Sequence, residues 1–554
     1  MRRRGNKEID PEDIFLDASN LPEFASGRLE GRLEKPLSHG NHVALSLSAG
    51  LLFLVLIIKA VSLGIIDGEA YAAQSEKNRL RPEVLFAKRG AIVDRNGEAL
   101  AQNIPSDRGF PARAYEAPGF AHLLGYVSYP QKDSSGNYFA TQTEGLAGVE
   151  HAFNERLAGV NGTLLIEENA LGELQSSGTV APPLEGETLD LSVDARVQRA
   201  FHSAIQELAD KIPYKGGAGI LMDVTTGEVI ALASYPEYDP NILSLGEQRD
   251  TIAGYATDAR EPYLDRPVTG LYTPGSIVKP LIAAGALSDG IISEFKEIVS
   301  TGRLVVPNPY NPDLPSIFND WKAHGATDMR RAIAVSSDVY FYTLGGGFGD
   351  QKGLGIERLD YWYKAFGLDT PTGIELAGEE YGFLPTPAWK EATYDDPWRV
   401  GDTYNTAIGQ YAVQITPLEA VRMTAAIANG GKLLRPTLLK DEPVQGTTIA
   451  INQEALKVAR EGMRMAVDGG GTAAGLASYP YAKAAGKTGT AQLGVNNEWY
   501  NSWVIGFFPY DNPKYAFAVV MERAPAGTAT GGVYVMARVF EAMRNTAPEY
   551  FGLE

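Results

Sequence analysis

Cysteine is absent from the 554 residues. That excludes disulfide frameworks, thiolate zinc sites, iron–sulfur clusters and cysteine nucleophiles. Histidine is scarce: the six are His39, His42, His122, His151, His202 and His324, and no HExxH motif occurs. An enzyme built from this sequence has little imidazole to use, so a base of another kind is expected. Positive charge is short as well, with 49 basic against 68 acidic residues and a net charge of −19. A nucleic-acid partner is therefore not expected, since binding one requires a basic face to displace phosphate counterions. The remaining composition is ordinary, at 44% hydrophobic and 21% charged, which suits a folded chain of two or three domains.

One long apolar run stands near the N-terminus. Val43 to Ile58 carries no charge, Lys59 interrupts, and the run resumes to Ile66. As a helix, 43–66 would extend about 36 Å at ~1.5 Å per residue, more than the ~30 Å of a bilayer core. Lys59 would snorkel to the interface. Ala70-Tyr71-Ala72 resembles a signal-peptide cleavage site, but the 42 residues before the run hold eight acidic groups, unlike a short basic leader. A retained membrane helix at 43–66 is expected, with 1–42 as a cytoplasmic tail. Basic residues near the run balance, with Arg28, Arg32 and Lys35 before it and Lys77, Arg79 and Arg81 after it. Arg2, Arg3, Arg4 and Lys7 tilt the orientation toward a cytoplasmic N-terminus. The acidic Glu8, Asp10, Glu12 and Asp13 read as solvated charge rather than a docking peptide.

Residues 67–185 read as a mixed, irregular module. In Arg89–Ala101, Ala91 to Val93 predicts a short strand and Asn96-Gly97 a tight turn. The Gly/Pro-rich Ala181–Thr188 marks a boundary. Leu189–Ile212 switches from strand alternation to an amphipathic helix, with Val197, Ala200, Phe201, Ala204, Ile205 and Leu208 on one face. Gly217–Pro236 predicts a hairpin about Thr226-Gly227. A helical centre follows, then strands in GKTGTAQ, NSWVIGFFPY and YAFAVVMERAP and a last helix in VYVMARVFEAMRNTA. Strands first, helices in the middle, and strands plus helix at the end predict an α+β domain whose terminal segments share one antiparallel sheet, sandwiched by helices.

Three short motifs carry the chemistry. They are Ser276-Ile-Val-Lys279, Ser336-Ser337-Asp338 and Lys487-Thr488-Gly489-Thr490. A second Ser-x-x-Lys, Ser293 to Lys296, differs in context. Ser276 follows the turn pair Pro274-Gly275 and opens an apolar helix, whereas Ser293 lies among charged residues. Residues i and i+3 share a helix face, so Lys279 can reach the Ser276 hydroxyl. A serine needs such a base, and a partly desolvated lysine near a second cation, Lys487, can lose its proton and become one. The small residues of KTGT leave room for a substrate strand, and its lysine and hydroxyls suit a carboxylate. Asp320, His324 and Asp328, spaced by four, could hold a metal, but a structural role is favoured and no metal site is assigned. Trp499, Tyr500 and Trp503 either line a cleft or pack in the core.

The ordered triplet resembles that of class B penicillin-binding proteins, anchored peptidoglycan D,D-transpeptidases. RGAIVDRNGEALA and Gly145–Gly159 resemble the pedestal motifs of that family, and Gly401–Ala420 resembles a segment after its second active-site motif. DRNGEALAQN, IGQ and GTAQ resemble the elongation-type members. The resemblance implies a membrane helix, an elongated pedestal (67–185, dimerisation-like) and a transpeptidase domain (186–554) outside the cytoplasm. It implies Ser276 as acylated nucleophile, Lys279 as base and Ser336 as proton relay. Lys487, Thr488, Gly489 and Thr490 would hold the donor carboxylate, with the N–H groups of Ser276 and Thr490 as oxyanion hole. No cofactor is implied. Implied partners are stem peptides, β-lactams as inhibitors, and a multi-span glycosyltransferase of the elongation machinery. Asp338 departs from the family's usual Asn: ionised aspartate only accepts hydrogen bonds, and pairing with Lys279 would favour the ammonium. The alternative is a penicillin-binding scaffold or receptor that regulates a partner glycosyltransferase without catalysis.

Overall fold

The computed structural model describes residues 38–71, 80–168, 174–308 and 311–553. The flanking charges Arg2, Arg3, Arg4, Lys7, Arg28, Arg32, Lys35, Lys77 and Arg79, and the acidic Glu8, Asp10, Glu12 and Asp13, lie outside the described residues. The chain divides into two units, Met1–Pro82 with Leu165–Gly178, and Glu83–Leu164 with Thr179–Glu554.

In the first unit, helix α1 (His39–Val61) continues through one π turn, Ser62–Ile66. Leucine, isoleucine, valine and phenylalanine are exposed all round it. A helix apolar on every side is stable only in an apolar surrounding. It is long and apolar enough to cross a membrane, the one such helix among the described residues, and it contains the expected 43–66.

The second unit opens with a small sheet. Its strands are β1 (Ile92–Val93), β2 (Ala99–Ile104), β3 (Ala112–Tyr115) and β4 (Leu189–Asp190), in the order β4-β1-β2-β3. Asp94 Oδ1 accepts the N–H groups of Asn96 and Glu98, both at 2.8 Å, and so closes the turn at Gly97 (φ +85°). The other oxygen of Asp94 accepts Ala195 N–H at 3.1 Å, tying that turn to the start of helix α2 (Ala195–Lys211). Below, buried Glu150 joins two buried arginines, Arg89 Nε at 2.5 Å and Arg113 Nε at 2.7 Å.

The main sheet draws on both ends of the rest of the chain. The hairpin β5 (Gly216–Asp223) and β6 (Val229–Tyr235) turns at Gly227, φ +89°. Much later come β7 (Ala485–Leu493), β8 (Trp499–Phe508) and β9 (Tyr515–Pro525). The order is β6-β5-β9-β8-β7, each pair antiparallel. Side chains alternate between two cores, as a pleated strand requires. Ile220, Met222, Ala518 and Val520 face one, and Leu221, Phe517, Val519 and Met521 the other. Val197, Phe201 and Ile205 of α2 cover the second face together with Val535 and Val539. The first face takes the central helices, including Leu281 and Ile282, and Leu418 and Val421. Burial on both faces explains why these strands are nearly all apolar in sequence. The fold is α+β, an antiparallel sheet sandwiched by helices, as the element pattern predicts.

Candidate active site

Ser276 sits in a tight 3₁₀ turn, Gly275–Val278, that runs into helix α3 (Lys279–Ser288). Gly275 adopts φ +56°, and a Cβ there would lie 2.9 Å from the Thr490 carbonyl oxygen. Only glycine lets the serine turn come this close to strand β7. Ser276 is half-buried; Lys279, one turn on, is fully buried.

The Lys279 ammonium donates to three oxygens of the second motif: Ser336 O at 2.8 Å, Ser336 Oγ at 3.3 Å and Asp338 Oδ1 at 2.6 Å. Ser276 is not among its hydrogen-bond partners, so the direct link expected from the i, i+3 spacing is absent. The nearby carboxylate and carbonyl are stronger acceptors for an ammonium than a hydroxyl. Lys279 does pair with Asp338.

The second motif lies where two helices meet. Helix α4 (Met329–Val335) stops at Ser336, whose φ and ψ of 60° and 40° are left-handed, and α5 (Asp338–Gly346) starts two residues later. A non-glycine in that region is uncommon and persists where its surroundings fix it. Here Asp320 does so from behind: Oδ2 accepts Ser300 Oγ at 2.9 Å, Ser337 Oγ at 2.9 Å and Val339 N–H at 3.1 Å. Burial raises the Asp320 pKa, but the N–H groups of Asp338 and Val339 and the two hydroxyls outweigh it and hold the carboxyl below its ordinary value. His324 Nε2 lies 3.3 Å from Asp320 Oδ1, and Asp328 caps α4 through Arg331 N–H at 2.8 Å. Asp320, His324 and Asp328 are thus structural, and no group of three such side chains among the described residues could hold a metal.

Lys487 approaches from β7 and is fully buried. It donates to Ser336 Oγ at 2.8 Å and to Thr488 O at 2.7 Å. Burial, and then the charge of Lys279, push its pKa well below the ordinary lysine value. Ser336 Oγ therefore stands between two lysine nitrogens. Thr488 Oγ1 donates to Thr472 Oγ1 at 2.6 Å. A Cβ on Gly489 would sit 2.7 Å from the Pro274 carbonyl oxygen, so this glycine admits the serine turn to the sheet.

Thr490 is exposed, and its carbonyl accepts Gln410 Nε2 at 3.4 Å. In an antiparallel strand the N–H and C=O of one residue point to the same side, so the Thr490 N–H also faces away from β8. Strand β7 is the edge of the sheet, and that free edge faces the serine turn. Gly409 completes the wall: its carbonyl accepts Gly275 N–H at 2.9 Å, and a Cβ there would lie 2.3 Å from Gly275 O.

Several of these residues escape reasoning from single motifs. Asp320, Thr472, Gly409 and Gln410 support the site without belonging to any of the three motifs. The IGQ of residues 408–410 carried a signal for Gly409 and Gln410, Asp320 was singled out by its spacing, and nothing pointed to Thr472. Trp503 is core: it is buried and its Nε1 donates to Thr273 O at 3.0 Å, propping the serine loop. Trp499 and Tyr500 are half-buried farther out. Ser293 is exposed in a turn, and its Oγ accepts Phe295 N–H at 3.4 Å.

A serine and a buried lysine one turn apart, beside a glycine-opened edge strand with a second buried lysine, are the parts of a serine acyl-transfer enzyme. Comparison with known proteins narrows the class. The family described as "Penicillin binding protein transpeptidase domain" matches residues 217–543, and "Penicillin-binding Protein dimerisation domain" matches residues 110–191. Peptidoglycan D,D-transpeptidase MrdA of Escherichia coli K12 is 31% identical over 462 residues, covering 76% of this chain and 70% of that one. The crystal structure of Pseudomonas aeruginosa PBP2 in complex with WCK 5153 matches with TM-score 0.69 at 29% identity, covering 83% of this chain and 96% of that one. The complex of Helicobacter pylori PBP2 with MreC contains a chain that matches with TM-score 0.69 at 27% identity, covering 85% and 99%. The chain belongs to the penicillin-binding protein transpeptidase family.

Proposed function

We propose that this chain is a peptidoglycan D,D-transpeptidase of cell-wall synthesis, acting through an acyl-enzyme on Ser276 and inhibited by β-lactams. The observation that carries the residue roles is the Ser336 hydroxyl held between Lys279 and Lys487, beside the serine turn and the free edge of β7. Ser276 Oγ attacks the carbonyl between the two terminal D-alanines of a stem peptide. Lys279 takes the serine proton. Ser336 passes its hydroxyl proton to the departing D-alanine nitrogen and is reprotonated by the ammonium that Lys279 has become, while Lys487 holds the Ser336 oxygen at 2.8 Å. The N–H groups of Ser276 and Thr490 stabilise the tetrahedral oxyanion, each such donor being worth ~3–4 kcal/mol in comparable sites. Thr488, Gly489 and Thr490 hold the terminal carboxylate against the strand, with Lys487 behind them. Asp338 anchors Lys279. An amine of a neighbouring stem peptide then attacks the ester and releases Ser276 with a new cross-link.

The domain reading assigns 1–42 to a cytoplasmic tail, 43–66 to the membrane, 67–185 to a pedestal and 186–554 to the transpeptidase outside the cytoplasm. The Helicobacter relative forms a complex with MreC, which supports a chain that works with protein partners, here a multi-span glycosyltransferase docked on the pedestal. Fluorescent penicillin should label the chain in membranes, lose its target in Ser276→Ala and keep it in Ser293→Ala. Label persisting in Ser276→Ala overturns the residue assignment. D-alanine release from a pentapeptide separates an enzyme from a scaffold that only binds penicillin. Deleting residues 67–180 should cost recovery of the membrane partner, and accessibility of residues 80–554 to protease in spheroplasts tests the orientation.

A further inference from the structure

We propose that a small cavity beside the Arg89–Glu150–Arg113 cluster binds one monatomic anion, chloride being the common one, held chiefly by Arg113. The charges of the cluster do not balance. Arg89 and Arg113 bring two positive charges and Glu150 one negative, on side chains exposed by 3%, 1% and 0%. Among the described residues neither arginine has a second ion pair. A guanidinium keeps its proton inside a protein, and a buried charge is costly unless an opposite charge meets it. One positive charge is left over in the interior.

The hydrogen bonds locate that surplus. Every side-chain nitrogen of Arg89 has a partner: Nε donates to Glu150 Oε2 at 2.5 Å, Nη1 to Thr143 O at 2.9 Å and Nη2 to Glu150 O at 2.8 Å. Arg113 differs. Its Nε donates to Glu150 Oε1 at 2.7 Å, but Nη1 and Nη2 are buried without a hydrogen-bond partner among the described residues. Arg113 lines the cavity, and so does Tyr129. The Tyr129 oxygen accepts Arg113 N–H at 2.7 Å, which leaves its own O–H to donate. The amides of the wall are committed to backbone: Asn103 Nδ2 donates to Arg89 O at 2.6 Å, and Asn161 Oδ1 accepts Ala87 N–H at 2.9 Å.

Size and charge choose the ligand. The cavity holds about 10 Å³, which admits one particle of roughly a water's size. A phosphate or a carboxylic acid is too large, whereas a single halide ion fits. A neutral water would satisfy the hydrogen bonds but leave the charge uncompensated. Phe86 and Phe110 form part of the wall, and among apolar rings an ion pair is stronger than in water. Bound there, the anion braces the chain ahead of β1, where Arg89 stands, against β3, which carries Arg113. Opening this part of the fold then requires the ion to leave.

The test uses the full-length chain in detergent and sodium gluconate, with chloride replacing gluconate at constant ionic strength. The readout is the rate of limited proteolysis between residues 86 and 164, where cutting requires opening. An ion that binds only the closed form should slow cutting about tenfold once chloride reaches about ten times its Kd. Bromide should act alike, and sulfate, too large for the cavity, should leave the rate unchanged. Arg113→Gln leaves Arg89 and Glu150 as a neutral pair, so its rate should not respond to chloride. Tyr129→Phe should need more chloride for the same effect. In crystals soaked with bromide, an anomalous peak should lie within hydrogen-bond distance of Arg113 Nη1 or Nη2. A parent indifferent to chloride, an equal response to sulfate, or an Arg113→Gln variant that still responds overturns the proposal. Should Arg113→Gln fail to fold, the halide and sulfate series on the parent and the bromide position still decide it.

Discussion

Two lysine nitrogens share one hydroxyl in this site, and a carboxylate sits beside one of them. The charge of Asp338 opposes the depression of the Lys487 pKa. Replacing it by the uncharged Asp338→Asn removes that opposition, so Lys487 gives up its proton at lower pH. The acid limb of the penicillin acylation rate against pH should move to lower pH, and an unmoved limb would show that Asp338 does not govern the pair. A second residue makes a prediction about stability. Asp265 Oδ1 is buried without a hydrogen-bond partner among the described residues, and burial pushes its pKa from 3.8 up to about 7. The folded state then binds a proton that the unfolded state has lost. This stabilising contribution is complete below about pH 4 and drains away as pH rises through about 7. Asp265→Asn abolishes it, so the melting temperature of the variant relative to the parent should climb between pH 4 and pH 7. A constant difference would mean that Asp265 is ionised throughout.

At the scale of elements, the site depends on a turn and a strand touching through glycine. Gly489→Ala puts a methyl 2.7 Å from the Pro274 carbonyl oxygen, and backbone cannot step aside as a side chain can. Displacing β7 by about 1 Å should cost ~10²-fold in acylation by penicillin, with a stability loss of ~1–3 kcal/mol as in other overpacked sites. Near-parental acylation would show the turn and strand to be more compliant than this. The same contact explains what could be read from sequence. Val197, Phe201, Ile205 and Leu208 announced α2 by their spacing, and Gly227 announced the β5–β6 turn, because both are local. Ser276 and Lys279 were legible as a pair because they are one turn apart. The capture of Lys279 by Ser336 and Asp338 was only half legible, since it crosses more than fifty residues and needs the left-handed Ser336. In sequence, the helical spacing of Asp320 to His324 and Asp328 allowed a metal site, though a structural role was favoured. In the fold Asp320 lies before the helix that Asp328 caps, in a segment that follows no helical face.

At the scale of the whole chain, the packed unit of Glu83–Leu164 and Thr179–Glu554 is joined by buried polar contacts as well as by core. Gln198 Nε2 donates to Gly119 O at 2.7 Å and to Leu232 O at 2.9 Å, linking the segment before β4 to the main sheet. Glu150 matters in the same way, since removing it leaves Arg89 and Arg113 buried without their carboxylate. Glu150→Ala should destabilise by ~3–5 kcal/mol, the usual cost of breaking a buried pair. Limited proteolysis should then cut between residues 86 and 164 under conditions where the parent resists. Equal resistance would show that the arginines find other partners. The main sheet has a further consequence. Gly216 pairs with Glu522, so the hairpin made early in synthesis waits roughly three hundred residues for its neighbour strand. Long-range pairings of this kind are slow to form and leave apolar surface uncovered meanwhile. A ribosome must therefore add 151 residues after Ser336 before Lys487 exists to meet it. Until then the nascent chain carries a nucleophile but no working centre, and it depends on whatever shields an unfinished sheet.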